Sequence, residues 1–173
     1  KGSSRASVQL AQAAVYFNRK MFANAAKLYQ EIAAGAGQTK EHFEALYRLG
    51  QCHYQAEDWT AAAKTFTEVW RKSPDADQRK ESHRLLVQAK YQAAKGLLGA
   101  GEHADAAAAL VKLEEEHPGS EYADVLLYNA AEALEKTEKW EDASRVYYDL
   151  VNRYPSSKLA PDALFNAASN YEK

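Results

Sequence analysis

The sequence predicts an all-α chain, and three observations carry that prediction. Ala occurs 34 times and Leu 16 times against 8 Val, 5 Thr and one Ile, so helix formers dominate and strand formers are scarce. Small and large apolar residues recur at four- and seven-residue offsets, which place them on one helical face. Pro118 and Pro155 each close a stretch with that spacing. With 173 residues the chain can bury about two thirds of the surface its unfolded form exposes, so its core needs no disulfide or metal staple.

The two prolines stand 37 residues apart, and the segments after them run in parallel: Gly119-Ser120-Glu121-Tyr122-Ala123-Asp124 beside Ser156-Ser157-Lys158-Leu159-Ala160-Pro161. Before them, Ala106, Leu110 and Leu113 match Ala143, Tyr147 and Leu150. The second segment holds the fullest copy, with Leu46, Leu49-Gly50, Tyr54, Trp59, Ala62, Phe66, Val69 and Pro74. These residues resemble the tetratricopeptide repeat family, whose pattern is Trp-x2-Leu-Gly-x2-Tyr, Ala-x3-Phe and Pro; Leu46 replaces its Trp and His53 its Tyr. In that frame repeats begin near Ala6, Phe43, Val87, Asp124 and Pro161, at intervals of 37, 44, 37 and 37 residues. The expected organisation is a single array over 1–173, with repeats near 6–39, 43–76, 87–120 and 124–157 and a partial fifth over 161–173.

Each repeat is expected to be a helical hairpin, with helices at 6–19 and 22–34, 40–55 and 59–72, 77–100 and 103–116, 121–136 and 140–153, then 160–172. Gly50, Ala94, Ala131 and Ala168 on first helices face Ala25, Ala62, Ala106 and Ala143 on second helices, which predicts small-against-small contact. Polar turns at Ala56-Glu57-Asp58, Ala100-Gly101-Glu102 and Glu138-Lys139 each precede a ring, Trp59, His103 or Trp140, that can cover the turn; Met21-Phe22 fills this place first. The 44-residue interval holds seven extra residues, nearly two helical turns. It therefore predicts one elongated helix from about 77, projecting roughly 10 Å past the array. Asp75 and Asp77 suit its N-terminus.

Composition removes several function classes. Lys+Arg 22 against Asp+Glu 24 gives a net charge of −2 with the basic residues dispersed, so no nucleic-acid or anionic-membrane partner is expected. No apolar run reaches the 18 or so residues that would insert into a bilayer, and Lys1-Gly2-Ser3-Ser4-Arg5 lacks a signal segment. Because Tyr171-Glu172-Lys173 stops within a helical pattern, the chain is expected to be a piece of a longer protein. Cys52 can form no internal disulfide; it reads as a small core residue beside Leu49, with a reactive thiol as the other reading. His42, His53, His83, His103 and His117 include no i, i+4 pair and no His-Glu-x-x-His motif, so neither metal nor cofactor is expected. The Glu114-Glu115-Glu116 run reads as a solvated helix end, with His117 as its local cap. Gly96, Gly99 and Gly101 end a helix and make its turn, so they are no phosphate loop, and no catalytic constellation emerges.

A hairpin with one apolar stripe cannot bury it alone, so stacked neighbours predict a right-handed, curved α-solenoid whose concave wall is made by first helices. That wall would carry Tyr47, Arg48, Gln51 and Tyr54; Gln88, Tyr91, Gln92 and Lys95; Tyr128, Asn129 and Glu132; and Phe165, Asn166 and Ser169. A ring recurs at one position, Tyr47, Tyr91, Tyr128 and Phe165. With Arg48, Gln51, Lys95, Asn129 and Asn166 it forms the candidate surface for an extended or helical segment of a protein partner. The alternative is that these rings wedge adjacent repeats together. Some relatives hold a partner's C-terminal carboxylate with Lys and Asn; here Tyr47 with Gln51, Tyr91 with Lys95 and Tyr128 with Glu132 stand instead, which argues against a chaperone-tail receptor.

The 37-residue spacing with Tyr154-Pro155-Ser156-Ser157 is similar to bacterial envelope repeat proteins such as the outer-membrane assembly lipoprotein BamD and the Tol-Pal coordinator. That resemblance implies a scaffold in envelope assembly, periplasmic or outer-membrane-associated, with a cytoplasmic location as the alternative. A rigid spacer within a longer repeat protein, or a self-association module working through the repeat ends, is the second functional reading.

Overall fold

The computed structural model describes residues 2–35 and 37–172. Among them are nine helices and no strand: α1 Gly2–Asn18, α2 Phe22–Gly35, α3 Lys40–Gln55, α4 Trp59–Lys72, α5 Ala76–Gly99, α6 His103–Glu116, α7 Ala123–Glu135, α8 Trp140–Arg153 and α9 Ala160–Asn170. The all-α class of helical hairpins is therefore observed. α1 begins earlier than expected. α7 begins at Ala123 because Glu121 and Tyr122 remain in a turn, and α9 ends at Asn170 with Tyr171 and Glu172 in a turn. Ala36 of the first expected repeat and Lys173 of the fifth lie outside the described residues.

The chain divides into two compact units, Lys1–Ala89 and Lys90–Lys173, with the division inside α5. In the first, α1, α2, α3 and α4 pack in succession. Thr39 Oγ1 accepts the His42 amide to cap α3, and Asp58 Oδ1 accepts the Ala61 amide to cap α4, each supplying one of the acceptors that a helix start lacks. The core joins Ala13, Ala25, Tyr29, Ile32, Leu49 and Val69, all buried, and a second cluster seats Phe66 against Leu86 of α5. Each such large side chain, fully buried, contributes about 1.5–3 kcal/mol of transfer free energy.

At Gly50 the nearest neighbour is a ring. Gly50 faces the ring of Phe66: a Cβ built there would lie 2.7 Å from Phe66 Cε1. The small residue is a socket for a ring. Cys52 is buried in the cluster of Tyr29, Leu49 and Val69, and burial pushes its thiol up to about 11, so at neutral pH it is protonated and a poor nucleophile.

α5 is one helix through the inserted residues, as the seven-residue excess predicts. Its first turns do not stand clear, however. Gln78 donates to Glu44 at 3.3 Å and accepts from Ser73 Oγ at 2.7 Å, Arg79 donates to the Ser73 carbonyl at 2.7 Å, and Ser82 is fully buried. Polar side chains reaching back to α3 and the α4 end tether the extension.

The turns inside the hairpins share one backbone geometry. Lys20, Glu57, Gly101 and Glu138 all have positive φ, and the next amide in each turn reaches back five residues: Met21 to Tyr16, Asp58 to His53, Glu102 to Leu97, Lys139 to Leu134. This is the Schellman ending of a helix, and three of its four left-handed positions carry a residue other than glycine. Rings cover two of these turns, Phe22 against Phe17 and Trp59 against Tyr54.

In the second unit α6, α7, α8 and α9 pack in succession, and α7, α8 and α9 share a buried cluster of Leu127, Ala131, Tyr147, Leu150, Ala163 and Ala167. Both proline loops use the same bonds one repeat apart, Ser120 to His117 and Ser157 to Tyr154, then Ala123 to Ser120 and Ala160 to Ser157. Glu115 and Glu116 are exposed, as a solvated helix end would be, but Glu114 is not. Glu114 is fully buried, with Arg153 Nη1 donating to it at 2.5 Å and the Tyr154 hydroxyl also donating to it; His117 is buried too, and its amide caps α6. Burial, with the Glu114 carboxylate accepting the phenol proton, pushes Tyr154 up to about 12. A carboxylate can occupy this depth only because both donors come from the next repeat.

Candidate partner-binding surfaces

In the first unit, α3 turns Tyr47, Arg48 and Gln51 to the same half-buried side, and the structure adds residues that the spacing did not single out. Arg48 Nε donates to Glu44 at 2.9 Å and Arg48 Nη1 to Gln51 Oε1 at 3.1 Å, while its guanidinium lies 5.8 Å from the Tyr47 ring centre. Glu44 in turn accepts from Gln78 of α5, so Arg48 is held by a network three side chains long. Burial raises the Tyr47 hydroxyl above the ordinary phenol range, and the Glu81 carboxylate adds to it against the opposing Arg48. Glu81 is itself paired with Arg84 at 2.6 Å. Tyr47 also tilts against Phe66, centroids 6.1 Å apart, so one of its faces belongs to the packing.

In the second unit the recurring ring acquires a recurring partner. Asn129 Nδ2 donates to the Tyr91 hydroxyl at 2.6 Å, and Asn166 Nδ2 donates to the Tyr128 hydroxyl at 3.2 Å. The second amide also reaches Tyr147 at 3.3 Å, and the Tyr128 ring meets Tyr147 edge-on, 5.4 Å between centroids. Tyr91 and Tyr128 are half-buried, so rings on one repeat do bond to the next, while their other edges reach solvent. A phenol oxygen that accepts an amide keeps its own proton to donate elsewhere. Burial raises the Tyr91 hydroxyl, the Asn129 bond opposing; burial and then the Glu132 carboxylate raise Tyr128. Both therefore stay neutral donors at physiological pH.

Lys95 is exposed, its ammonium 5.9 Å from the Tyr91 ring centre, and Phe165 is 72% exposed at the last position of the ring series. The structure thus places Tyr91, Lys95, Tyr128, Asn129, Phe165 and Asn166 in the second unit and Tyr47, Arg48 and Gln51 in the first. The Tyr to Asn link was available in the sequence as an Asn directly after two of the rings, Tyr128-Asn129 and Phe165-Asn166. Such surfaces supply aromatic faces, neutral hydrogen-bond donors and one ammonium. That chemistry suits binding a polypeptide segment. Among the described residues no group of three His, Cys, Asp or Glu is placed to hold a metal ion, and no helix is long and apolar enough to cross a membrane.

No curated protein matches the sequence at a significant level. Among solved structures, the apo form of RapI is similar over 99% of this chain with 12% identity and a TM-score of 0.57; the chain spans 49% of RapI, about half its length. MamA from Desulfovibrio magneticus RS-1, from residue 41 to its end, is 17% identical over 96% of this chain and 91% of its own, with a TM-score of 0.45. A Podosopora anserina protein of nearly identical TPR-like repeats is 13% identical over 99% of this chain and 87% of its own, at 0.44. Two family profiles described as tetratricopeptide repeat match residues 8–77 and 125–157. They meet the sequence where its hairpins and proline loops stand and together cover more than half of it, so this chain belongs to the tetratricopeptide repeat family.

Proposed function

We propose that this chain is a non-enzymatic protein-interaction module whose second unit holds a partner segment against the first-helix residues Tyr91, Lys95, Tyr128, Asn129, Phe165 and Asn166. The single observation behind the reading is the repeated pair of a tyrosine hydroxyl and an asparagine amide, which fixes two phenol donors one repeat apart while Phe165 remains 72% exposed. Main-chain carbonyls of an extended or helical segment are the acceptors such donors suit, and the rings supply contact area at small entropic cost. Tyr47, Arg48 and Gln51 form a separate surface on the first unit. Its guanidinium is already engaged by Glu44 and Gln51, so it offers shape and an aromatic edge more than charge.

Replacing Tyr91 and Tyr128 together by Phe, and Phe165 by Ala, tests this by crosslinked capture of the partner measured alongside thermal stability. Capture should fall at least tenfold while the melting temperature moves by only a few degrees. Unchanged capture with lowered stability would mean that the rings only pack.

The finer reading, a scaffold in assembly of a bacterial envelope complex of the BamD or Tol-Pal coordinator kind, rests on the Tyr154-Pro155-Ser156-Ser157 junction. Cell fractionation of the native protein tests it; recovery in the cytoplasm would reject it.

A further inference from the structure

The rings of the recurring series differ in the charge that attends them. Arg48 brings its guanidinium 5.8 Å from the centre of the Tyr47 ring, and Lys95 brings its ammonium 5.9 Å from that of Tyr91. Among the described residues no cation stands over Tyr128, the next ring of the series. The repeat frame gives the reason: 37 residues after Lys95 the chain carries Glu132.

Glu132 is exposed, yet it stands on an interior helix. Asn129 of α7 donates back to Tyr91 of α5, while Asn166 and Asn170 of α9 donate to Tyr128 and to Glu135. First helices therefore flank α7 on both sides, and the exposure of Glu132 belongs to the surface they make together. Four residues after Tyr128 and three after Asn129, Glu132 shares their side of α7, beside the Tyr128 ring and next to the amide that holds the Tyr91 hydroxyl.

Its charge lacks a counterpart. Glu44 pairs with Arg48, Glu81 with Arg84, Glu116 with Lys90 and Glu114 with Arg153, whereas among the described residues no ion pair or hydrogen bond engages the Glu132 carboxylate. Partial desolvation, then the Glu135 carboxylate, hold it above the ordinary carboxylate range, with Lys136 opposing. A cation seated there would offset that charge and lie against an aromatic ring, as cations do at the two earlier positions of the series.

We propose that Glu132 receives a Lys or Arg side chain of the partner segment, which lies against the Tyr128 ring as Lys95 lies against Tyr91. The inference rests on the reading of this surface as the binding one and adds a rule to it. The segment carries its basic residue at the Tyr128 register and not one repeat earlier, where Lys95 would repel it.

The probe is a phage-displayed library of random dodecapeptides, panned on the whole chain and on Glu132→Gln. That change is at an exposed position, and the melting temperature should stay within about 2 °C. Peptides selected on the unaltered chain are expected to share one Lys or Arg position, and those selected on Glu132→Gln to lack it. In the strongest synthetic peptide that residue is then replaced by a neutral isostere, norleucine for Lys or citrulline for Arg. Binding should weaken about fivefold or more on the unaltered chain and less than about twofold on Glu132→Gln.

The proposal is overturned if the selected peptides share no basic position, or if the neutral isostere weakens binding equally on both chains. The reading beneath it has its own control, the chain carrying Tyr91→Phe, Tyr128→Phe and Phe165→Ala. Peptides that lose binding to that chain but tolerate the neutral isostere overturn this proposal and leave the binding surface standing. Failure to select any peptide, or peptides indifferent both to that chain and to Glu132→Gln, overturns the two together.

Discussion

Gly50 meets the Phe66 ring so closely that a single added Cβ would lie 2.7 Å from Cε1 and 2.9 Å from Cδ1. Phe66 is fully buried in a cluster with Leu86 and Ala89. Gly50→Ala is therefore expected to cost about 1–3 kcal/mol through overpacking, despite the better helix propensity of Ala. Gly96 has open space around its Cβ position, so Gly96→Ala should stabilise by up to about 1 kcal/mol. Urea denaturation of the two variants should give opposite signs.

The turn residues offer a matched pair of changes. Gly101 has φ +80 and Glu138 has φ 59 at equivalent places in successive hairpins. Gly101→Ala should lose about 1–2 kcal/mol, because Cβ crowds the carbonyl in the left-handed region. Glu138→Gly should gain a few tenths to about 1 kcal/mol, since it relieves that strain and removes no side-chain packing. Melting temperatures moving in the same direction for both would contradict this reading of the turn.

Buried Glu114 ties the end of α6 to the end of α8 through Arg153 and Tyr154. Arg153→Ala leaves the carboxylate with too few donors and should destabilise by about 2–3 kcal/mol, less than a fully buried pair because the guanidinium is partly exposed. Restoring neutrality with Glu114→Gln in the same chain should recover part of that loss. A double-mutant cycle by chemical denaturation measures the coupling, and a coupling near zero would remove the ion pair as a determinant of stability.

His83 stacks on Trp70, ring centroids 4.6 Å apart, and burial holds its imidazole below the ordinary range. The folded chain therefore prefers the neutral ring, whereas the unfolded chain takes up a proton first as pH falls. Its contribution is complete above the unfolded value of about 6.5 and is lost progressively as pH drops toward the lower folded value. The urea midpoint should fall between pH 7 and 5, and His83→Gln should flatten that part of the profile. An unaltered slope would place the pH response on other groups.

The features legible in the sequence are those encoded locally. Helix spans followed from apolar spacing, and the elongated α5 followed from seven residues that keep a face in phase. The rings over two of the turns were visible because Phe22 and Trp59 stand 37 residues apart, one repeat interval. What escaped the sequence depends on partners far along the chain. Glu114 looked solvated because its donors stand 39 and 40 residues later. The tether on the first turns of α5 depends on Gln78 meeting Glu44, 34 residues away. The left-handed turns were hidden for another reason, since Lys20, Glu57 and Glu138 carry none of glycine's signal. Within the candidate surfaces the ring positions were legible, but the asparagine amides that hold two of them were assigned to the partner alone.

The bonds from Asn129 to Tyr91 and from Asn166 to Tyr128, together with matching proline loops, give successive repeats the same plug and the same socket. A tandem duplication of one 37-residue stretch would hence arrive with both of its edges already complementary to its neighbours. Lineages carrying this design can lengthen or shorten by whole modules in a single genetic event, without first evolving a new junction.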